Sequence, residues 1–365
     1  MRVFSSLCII IAFTANTSIL STASSSGNII ELAPAPAFYP RLLSGNGDVP
    51  AFAVVETPNA TARRLMLLAR VNSSAWERTG ITIAAALATD STDLGNGYLL
   101  TLRNGVILCA FRHHDGSGNN RIYRIQVVLS TDHGKTWSNP PVTVTSGLVG
   151  VWEPFLLQDD ELSLHIFYSA EITNGGEQDI VRKSSADGGY TWSQIDSRIH
   201  TSKSRNGMPG VVLLNDGSLF CVCEGFWGQA GWNHFTVNGA RSFDGGLSWT
   251  QRAIIHFPSN SSQNAGSPQV ATCKDGRIIV IFMSNEGTAT TTNTWPDGAH
   301  LVTTVASLDP NNSSEPLIFS NSTVIVPTQG YAYWPSFFFD DADAGAVRAV
   351  WQNTDGAAML GGVVG

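Results

Sequence analysis

One short pattern occurs three times in this chain and limits its fold more than any other feature. Ser130-Thr131-Asp132-His133-Gly134-Lys135-Thr136-Trp137, Ser185-Ala186-Asp187-Gly188-Gly189-Tyr190-Thr191-Trp192 and Ser242-Phe243-Asp244-Gly245-Gly246-Leu247-Ser248-Trp249 all read Ser-x-Asp-x-Gly-x-(Thr/Ser)-Trp. The aspartates lie 55 residues apart (132 to 187) and then 57 (187 to 244). That period is too long for an ankyrin or tetratricopeptide unit and fits a four-stranded propeller blade. In each copy Asp can fix a turn by accepting backbone N–H groups, and Gly supplies the positive φ the turn needs. Trp then buries a large apolar area between neighbouring sheets. Asp132, Asp187 and Asp244 therefore read as scaffold, not as catalytic acids.

The segment resembles the Asp-box of sialidase-type propellers. A fainter repeat accompanies it: an Asn-Gly or Asp-Gly turn before an apolar run, at Asn104-Gly105, Asp216-Gly217 and Asp275-Gly276. Looser forms stand at Asp159-Asp160-Glu161 and Asp340-Asp341. Such turns are strong hairpin signals. Pro154, Pro209, Pro268 and Pro335 precede these hairpins and read as strand-opening prolines, which need no ladder donor. Five hairpins are recognisable, and Tyr39 to Thr89 has room for another, with Trp76 as the relic of a box. Ser307-Leu308-Asp309 reads as a degenerate box. The expectation is an all-β, six-bladed β-propeller over residues 28–365. Thr82 to Leu87 is the best helical candidate, and it is short.

Residues 1–23 read as a signal peptide: Arg2, an apolar run from Leu7 to Phe13, then Ser21-Thr22-Ala23 as a cleavage site. That run is too short to span a membrane. Asn59, Asn72, Asn260, Asn311, Asn312 and Asn321 each begin an Asn-x-Ser/Thr triplet, consistent with a secreted, extracellular glycoprotein. Charged residues make up only 14% of the chain and the net charge is −8, which argues against a nucleic-acid surface. Cys109, Cys221, Cys223 and Cys273 lie in or beside apolar strands and read mostly as buried thiols. The adjacent His113 and His114 point apart on a strand. No metal or organic cofactor is implied, and a monomer is expected.

A propeller gathers its chemistry at the ends of its inner strands, so site residues should come from several blades. Glu153 stands in Val151-Trp152-Glu153-Pro154-Phe155, and Glu224 ends the run Leu219 to Cys223 before Gly225-Phe226-Trp227. Both are flanked by aromatic residues, which would desolvate a carboxyl and raise its pKa. A carboxyl pair facing a sugar is the usual equipment of glycoside hydrolysis. Two surface glutamates are the plain alternative.

Trp152-Glu153-Pro154-Phe155-Leu156, Arg205-Asn206-Gly207-Met208-Pro209-Gly210-Val211, Asn264-Ala265-Gly266-Ser267-Pro268-Gln269-Val270 and Phe111-Arg112-His113-His114 together resemble glycoside hydrolase family 93. These are six-bladed exo-1,5-α-L-arabinanases that act with retention and release arabinobiose. The likeness runs from about Tyr39 to Trp351. It implies that Glu153 is the general acid/base and Glu224 the nucleophile, with carboxyls roughly 5–5.5 Å apart. It makes Arg205 a partner of Glu224 or of a sugar hydroxyl, with a plain structural ion pair as the alternative. Trp152, Trp227 and Trp334 become candidates for stacking on sugar rings, against core packing as the alternative. Tyr331 and Tyr333 should reach the pocket, one of them bonding the nucleophile. The chain departs from the family at Asn206, where an acidic residue is expected, and at Asn96-Gly97, where Asn-Pro is expected.

Two rivals stand beside this reading. An exo-α-sialidase would use Tyr331 or Tyr333 with Glu224, and Arg41, Arg112 and Arg205 around a substrate carboxylate. A non-catalytic carbohydrate-binding propeller would leave Glu153 and Glu224 in separate places.

Overall fold

A computed structural model describes residues 21–22, 29–45, 50–72, 75–89, 91–159, 163–172, 176–199, 204–227, 234–288, 295–308, 315–326, 331–340 and 346–363. Six antiparallel sheets follow one another along the chain. Blade one comprises Phe38–Leu43, Phe52–Glu56, Ala62–Asn72 and Ala75–Leu87. Blade two comprises Asp93–Thr101, Ile107–Asp115, Ile122–Ser130 and Val142–Gly147. Blade three comprises Val151–Gln158, Leu164–Glu171, Gln178–Ser185 and Ser197–Arg198. Blade four comprises Asn206–Leu213, Leu219–Trp227, His234–Ser242 and Thr250–His256. Blade five comprises Ala265–Thr272, Arg277–Ser284, His300–Ser307 and Thr323–Val326, and Ser21–Thr22 pairs parallel with its outer strand. Blade six takes Ala332–Asp340, Ala346–Asn353 and Ala358–Val363, and its outer strand is Ile30–Ala33 from the other end of the chain.

That last strand closes the ring. Ile30 pairs with Leu360, Glu31 with Met359 and Ala33 with Ala358. The first strand of each blade is the inner one: these strands touch in chain order, and that of blade six touches that of blade one. The core is divided into six apolar clusters, each filling the seam between two adjacent blades.

The three boxes behave as scaffold. In the first, Asp132 Oδ1 accepts from Ser130 Oγ (2.8 Å) and Thr136 N (2.9 Å), Oδ2 accepts from Thr136 Oγ1 (2.6 Å), and Trp137 Nε1 donates to Gly134 O (3.2 Å). The same bonds recur around Asp187 and Asp244. Each box joins the third strand of its blade to the outer one, and its Trp packs into the seam with the preceding blade. Trp76 packs edge-on against Phe338 of blade six (5.7 Å), so it keeps the packing role of a box Trp without the box. The Asn-Gly and Asp-Gly turns link inner and second strands, with Gly105, Gly217 and Gly276 at φ 86°, 82° and 86°. Asp160, Asp309 and Asp341 lie outside the described residues.

Two expectations are corrected. Thr82 to Leu87 is not helical but belongs to the outer strand of blade one, because pairing with Ala62–Met66 supplies its backbone partners. The four prolines do not open strands; each sits inside an inner strand, at an irregularity described next. Cys109, Cys221 and Cys223 are buried free thiols, and Cys273 is half-buried and free.

Candidate active site

All six inner strands carry the same defect at the same height. Between Trp152↔Ser169 and Phe155↔Phe167, two residues of the inner strand oppose one of its neighbour, which is a β-bulge. The equivalent bulges lie at residues 38–41, 95–98, 207–210, 266–269 and 333–336. In each, the first extra residue is left-handed although it is not glycine: Tyr39, Asn96, Glu153, Met208, Ser267 and Trp334 have φ between 41° and 55°. Such residues are uncommon, and repetition of the strain around one axis marks the end of the ring that carries function. Proline follows in five of the six, at 40, 154, 209, 268 and 335. A bulge leaves this position without a ladder partner, so the missing N–H costs nothing there.

The boxes lie at the far end of the strands from these bulges, so the ring has a bulge face and a box face. On the bulge face, the second-strand residue opposite the start of the bulge bonds the neighbouring blade in three of the six blades. Gln352 Oε1 accepts Tyr39 N (3.1 Å), Glu56 Oε1 accepts Asn96 N (2.6 Å) and Glu224 Oε2 accepts Ser267 N (2.9 Å). Each clasp satisfies an N–H that the bulge removed from its own sheet. Glycines make the room: a Cβ at Gly95 would stand 2.6 Å from Glu56 Oε1, and one at Gly266 would stand 2.6 Å from Glu224 Oε2.

Glu153 and Glu224 meet in this mouth from adjacent blades. Burial raises the pKa of Glu153, against the opposing pull of Arg112, the Ser169 hydroxyl, the Met208 N–H and Arg205. Burial likewise lifts Glu224 to about 7, opposed by the Ser267 N–H and Arg205 and assisted by the charge of Glu153. Glu224 therefore lies in the field of Glu153. Glu153 Oε2 is buried without a hydrogen-bond partner among the described residues. The charge of Arg205 pulls both carboxyls down, while its own guanidinium leans on Glu171 (3.5 Å) and Gly176 O (3.2 Å).

The remaining expected residues divide. Trp334 is half-buried at the mouth, its ring 6.2 Å from that of Tyr39 and 6.4 Å from that of Tyr333. Trp152 is engaged in the seam of blades two and three, edge-on to His114 (4.9 Å) and Tyr123 (5.8 Å), with Nε1 donating to Glu171 Oε1 (3.2 Å). These contacts, with the Arg112 guanidinium 5.6 Å away, give its ring the packing role. Trp227 ends the strand that carries Glu224, and its side chain lies outside the described residues. Tyr331 and Tyr333 are half-buried neighbours (6.0 Å) on blade six. Burial and the Asp297 carboxylate push Tyr333 up to about 12, so its hydroxyl is turned to Asp297 and is not a partner of Glu224. Asn206 is buried and its amide reaches Gln178 O (3.5 Å), which accounts for a neutral residue there.

Sequence reading passed over Tyr39 and Glu56 and weighed Arg112 only as an anion ligand. The Arg112 guanidinium is held by Asp93 (3.0 Å) and by the side-chain oxygen of Asn96, 5.6 Å from the Trp152 ring. Tyr39 lies under Arg41 (3.9 Å) and feels the charges of Glu153 and Glu56, and burial first of all raises it to about 12. The signals were present. Phe52-Ala53-Val54-Val55-Glu56 ends an apolar run in Glu as Leu219 to Glu224 does, and Tyr39-Pro40 repeats the frame of Glu153-Pro154.

The sequence model described as "BNR repeat-like domain" matches residues 140–327, and that of the "BNR/Asp-box repeat" matches 128–139. The chain belongs to the BNR repeat-like family. Among curated protein sequences this BNR repeat-like chain has no match. Solved structures match it over nearly its whole length. An α-L-arabinanase of Penicillium chrysogenum, complexed with arabinobiose, is 18% identical, with a TM-score of 0.64, covering 93% of this chain and 98% of the other. An α-L-arabinofuranosidase of Fusarium graminearum, complexed with an iminosugar inhibitor, is 19% identical, with a TM-score of 0.62 and coverages of 93% and 98%. The NanB sialidase of Streptococcus pneumoniae is 9% identical, with a TM-score of 0.60 and coverages of 93% and 70%. At such identities the likeness establishes the six-bladed propeller, and the chemistry has to be argued from the mouth.

Proposed function

We propose that this protein is a secreted, retaining glycoside hydrolase that acts from the end of linear α-1,5-L-arabinan and releases arabinobiose. The observation that carries the reading is the pair Glu153 and Glu224: two buried carboxyls from adjacent blades, both under the charge of Arg205, with the charge of Glu153 raising Glu224. Retention needs such a pair, one carboxyl protonating the leaving oxygen while the other attacks the anomeric carbon, and water then hydrolysing the glycosyl-enzyme. The names of two structural neighbours, an arabinanase and an arabinofuranosidase, favour the same substrate class.

The sialidase reading is weaker for a structural reason. Gripping a carboxylate requires guanidinium groups with free forks. Arg112 is occupied by Asp93 and Asn96, Arg205 by Glu171 and Gly176, and Arg41 is buried with its Nη1 donating to Pro40 O (3.0 Å) and Trp334 O (2.8 Å), which leaves only Nη2 without an acceptor among the described residues. A mouth lined by Glu56, Glu153 and Glu224 suits a neutral sugar better than an anionic one.

The family resemblance makes Glu153 the acid/base and Glu224 the nucleophile, whereas burial raises Glu224 to about 7 and so favours its protonated form. An activated aryl glycoside separates the roles: the acid/base variant regains turnover with azide and the nucleophile variant does not. The reading itself is tested by incubating the protein with linear α-1,5-arabinan and, separately, with sialyllactose. Arabinobiose as the sole early product is expected; free sialic acid, or no product from either, sinks it.

A further inference from the structure

The clasp between blades needs only a neutral acceptor at position 56, whereas Glu56 brings a carboxyl that lies in the field of Arg112 and, less strongly, of Arg41. Three second-strand side chains close three seams in the same way, and in one the acceptor is the neutral amide of Gln352 (3.1 Å). A glutamine therefore suffices to hold the next blade's left-handed residue. Glu56 uses only Oε1 for this, on Asn96 N (2.6 Å), and among the described residues nothing donates to its Oε2. Keeping an ionisable carboxyl half-buried where an amide would serve is costly. Glu224 is the other carboxylate clasp, and there the charge belongs to the candidate catalytic pair. Glu56 stands on blade one and Glu224 on blade four. Three blades of six are half a turn, so equivalent positions on blades one and four face each other across the mouth.

A second observation lies beside Glu56. Arg41 is 2% exposed, it lies in the field that acts on Glu56, and its Nη2 is buried with no acceptor among the described residues. The Tyr39 ring packs under that guanidinium (3.9 Å), and its hydroxyl feels both Glu56 and Glu153. Acceptor and donors thus stand together on the side of the mouth away from Glu224. A carboxylate oxygen accepts from hydroxyls, while Arg and Tyr donate to them, and this combination fits a group that does both. A sugar hydroxyl is such a group; a carboxylate or phosphate is not, since Glu56 would repel it.

We propose that Glu56 is a substrate-binding residue, whose free oxygen accepts hydroxyl protons of a neutral sugar unit and anchors the glycan across the mouth from Glu224. This rests on the glycosidase reading for the identity of the glycan. The test compares E224Q with E224Q/E56Q in titration calorimetry against arabinotriose, with thermal melting of both and Michaelis kinetics of E56Q alone. Gln352 indicates that Gln at position 56 keeps the clasp, so melting should change little. Affinity should fall about tenfold to a hundredfold, the range for a hydrogen bond to a charged group. E56Q alone should raise KM by a similar factor with a smaller change in kcat. Unchanged affinity overturns the proposal. So does a fall in kcat with KM unchanged and a displaced pH profile, which would mean that Glu56 acts through Arg112. Wild type that binds arabinotriose without cleaving it would overturn the catalytic reading alone and leave the Glu56 comparison valid. Wild type that neither binds nor cleaves it overturns both.

Discussion

Glu224 is an acid held where its charge is expensive. Its folded pKa of about 7 lies above the value near 4.5 that the unfolded chain would show. Below pH 4.5 the group is protonated in both states and costs nothing. Between 4.5 and 7 the folded state binds more protons, so stability falls as pH rises, and above 7 the full cost remains, at most about 3 kcal/mol. E224Q keeps the clasp to Ser267 and removes the charge. Its melting temperature should exceed that of wild type at pH 8 and approach it at pH 4.5, while activity drops by several orders of magnitude. A gap between the two proteins that is the same at both pH values would show that the carboxyl is not held protonated. The pair Glu153 and Glu224 was legible from sequence because each stands beside an apolar run and next to aromatic residues. That Tyr333 turns to Asp297 and away from Glu224 was not legible. A hydroxyl's partner depends on which loop from another blade lies beside it, and no local pattern records that.

The bulge and the box are the two elements that organise each blade, and they fail differently. G266A adds a Cβ that would stand 2.6 Å from Glu224 Oε2 and 3.3 Å from the Trp295 ring. The flexible carboxylate is the group that gives way, so we expect at least about a tenfold loss in kcat/KM, since a misplaced reacting group is costly. A circular-dichroism melt should stay within a few degrees of wild type. D187A acts at the other end of the blade. It removes the acceptor of Thr191 N (2.9 Å), Tyr190 N (3.0 Å) and the Thr191 hydroxyl (2.6 Å), freeing the turn that seats Trp192. Denaturant unfolding should show a loss of about 1–3 kcal/mol, with specific activity per folded molecule preserved. Loss of activity in the still-folded variant would give the box a role beyond scaffold. Sequence revealed the box completely, because all its bonds join residues within four positions of each other. It revealed the bulge only as a run of prolines, and these were misplaced to strand starts. A bulge is defined by register against a second strand, which the inner strand's own residues do not specify.

The whole molecule is a closed ring, and its closure depends on Ile30–Ala33. This strand buries Leu32 and Ala33 against Ala358 and Leu360, in the seam that Phe338, Val55 and Leu68 also fill. Removing residues 1–34 should leave the third strand of blade six with an open edge and unseal the seam with blade one. A fall in melting temperature of at least about 10 °C is expected, with loss of cooperative unfolding in calorimetry; a variant melting like wild type would mean that the ring closes by other contacts. The sequence by itself determined the blade: its length, its hairpins and its boxes, since these follow from alternation, turn residues and bonds between near neighbours. It also singled out two carboxyls beside apolar runs. Only the tertiary structure decided that the first strand completes the last blade, and that Glu56 and Glu224 face each other half a turn apart. It alone showed that Arg112 and Arg205 are already occupied. Those facts come from closing six blades around one axis, which brings together residues far apart in the chain and sets each carboxyl's charge by what surrounds it in space.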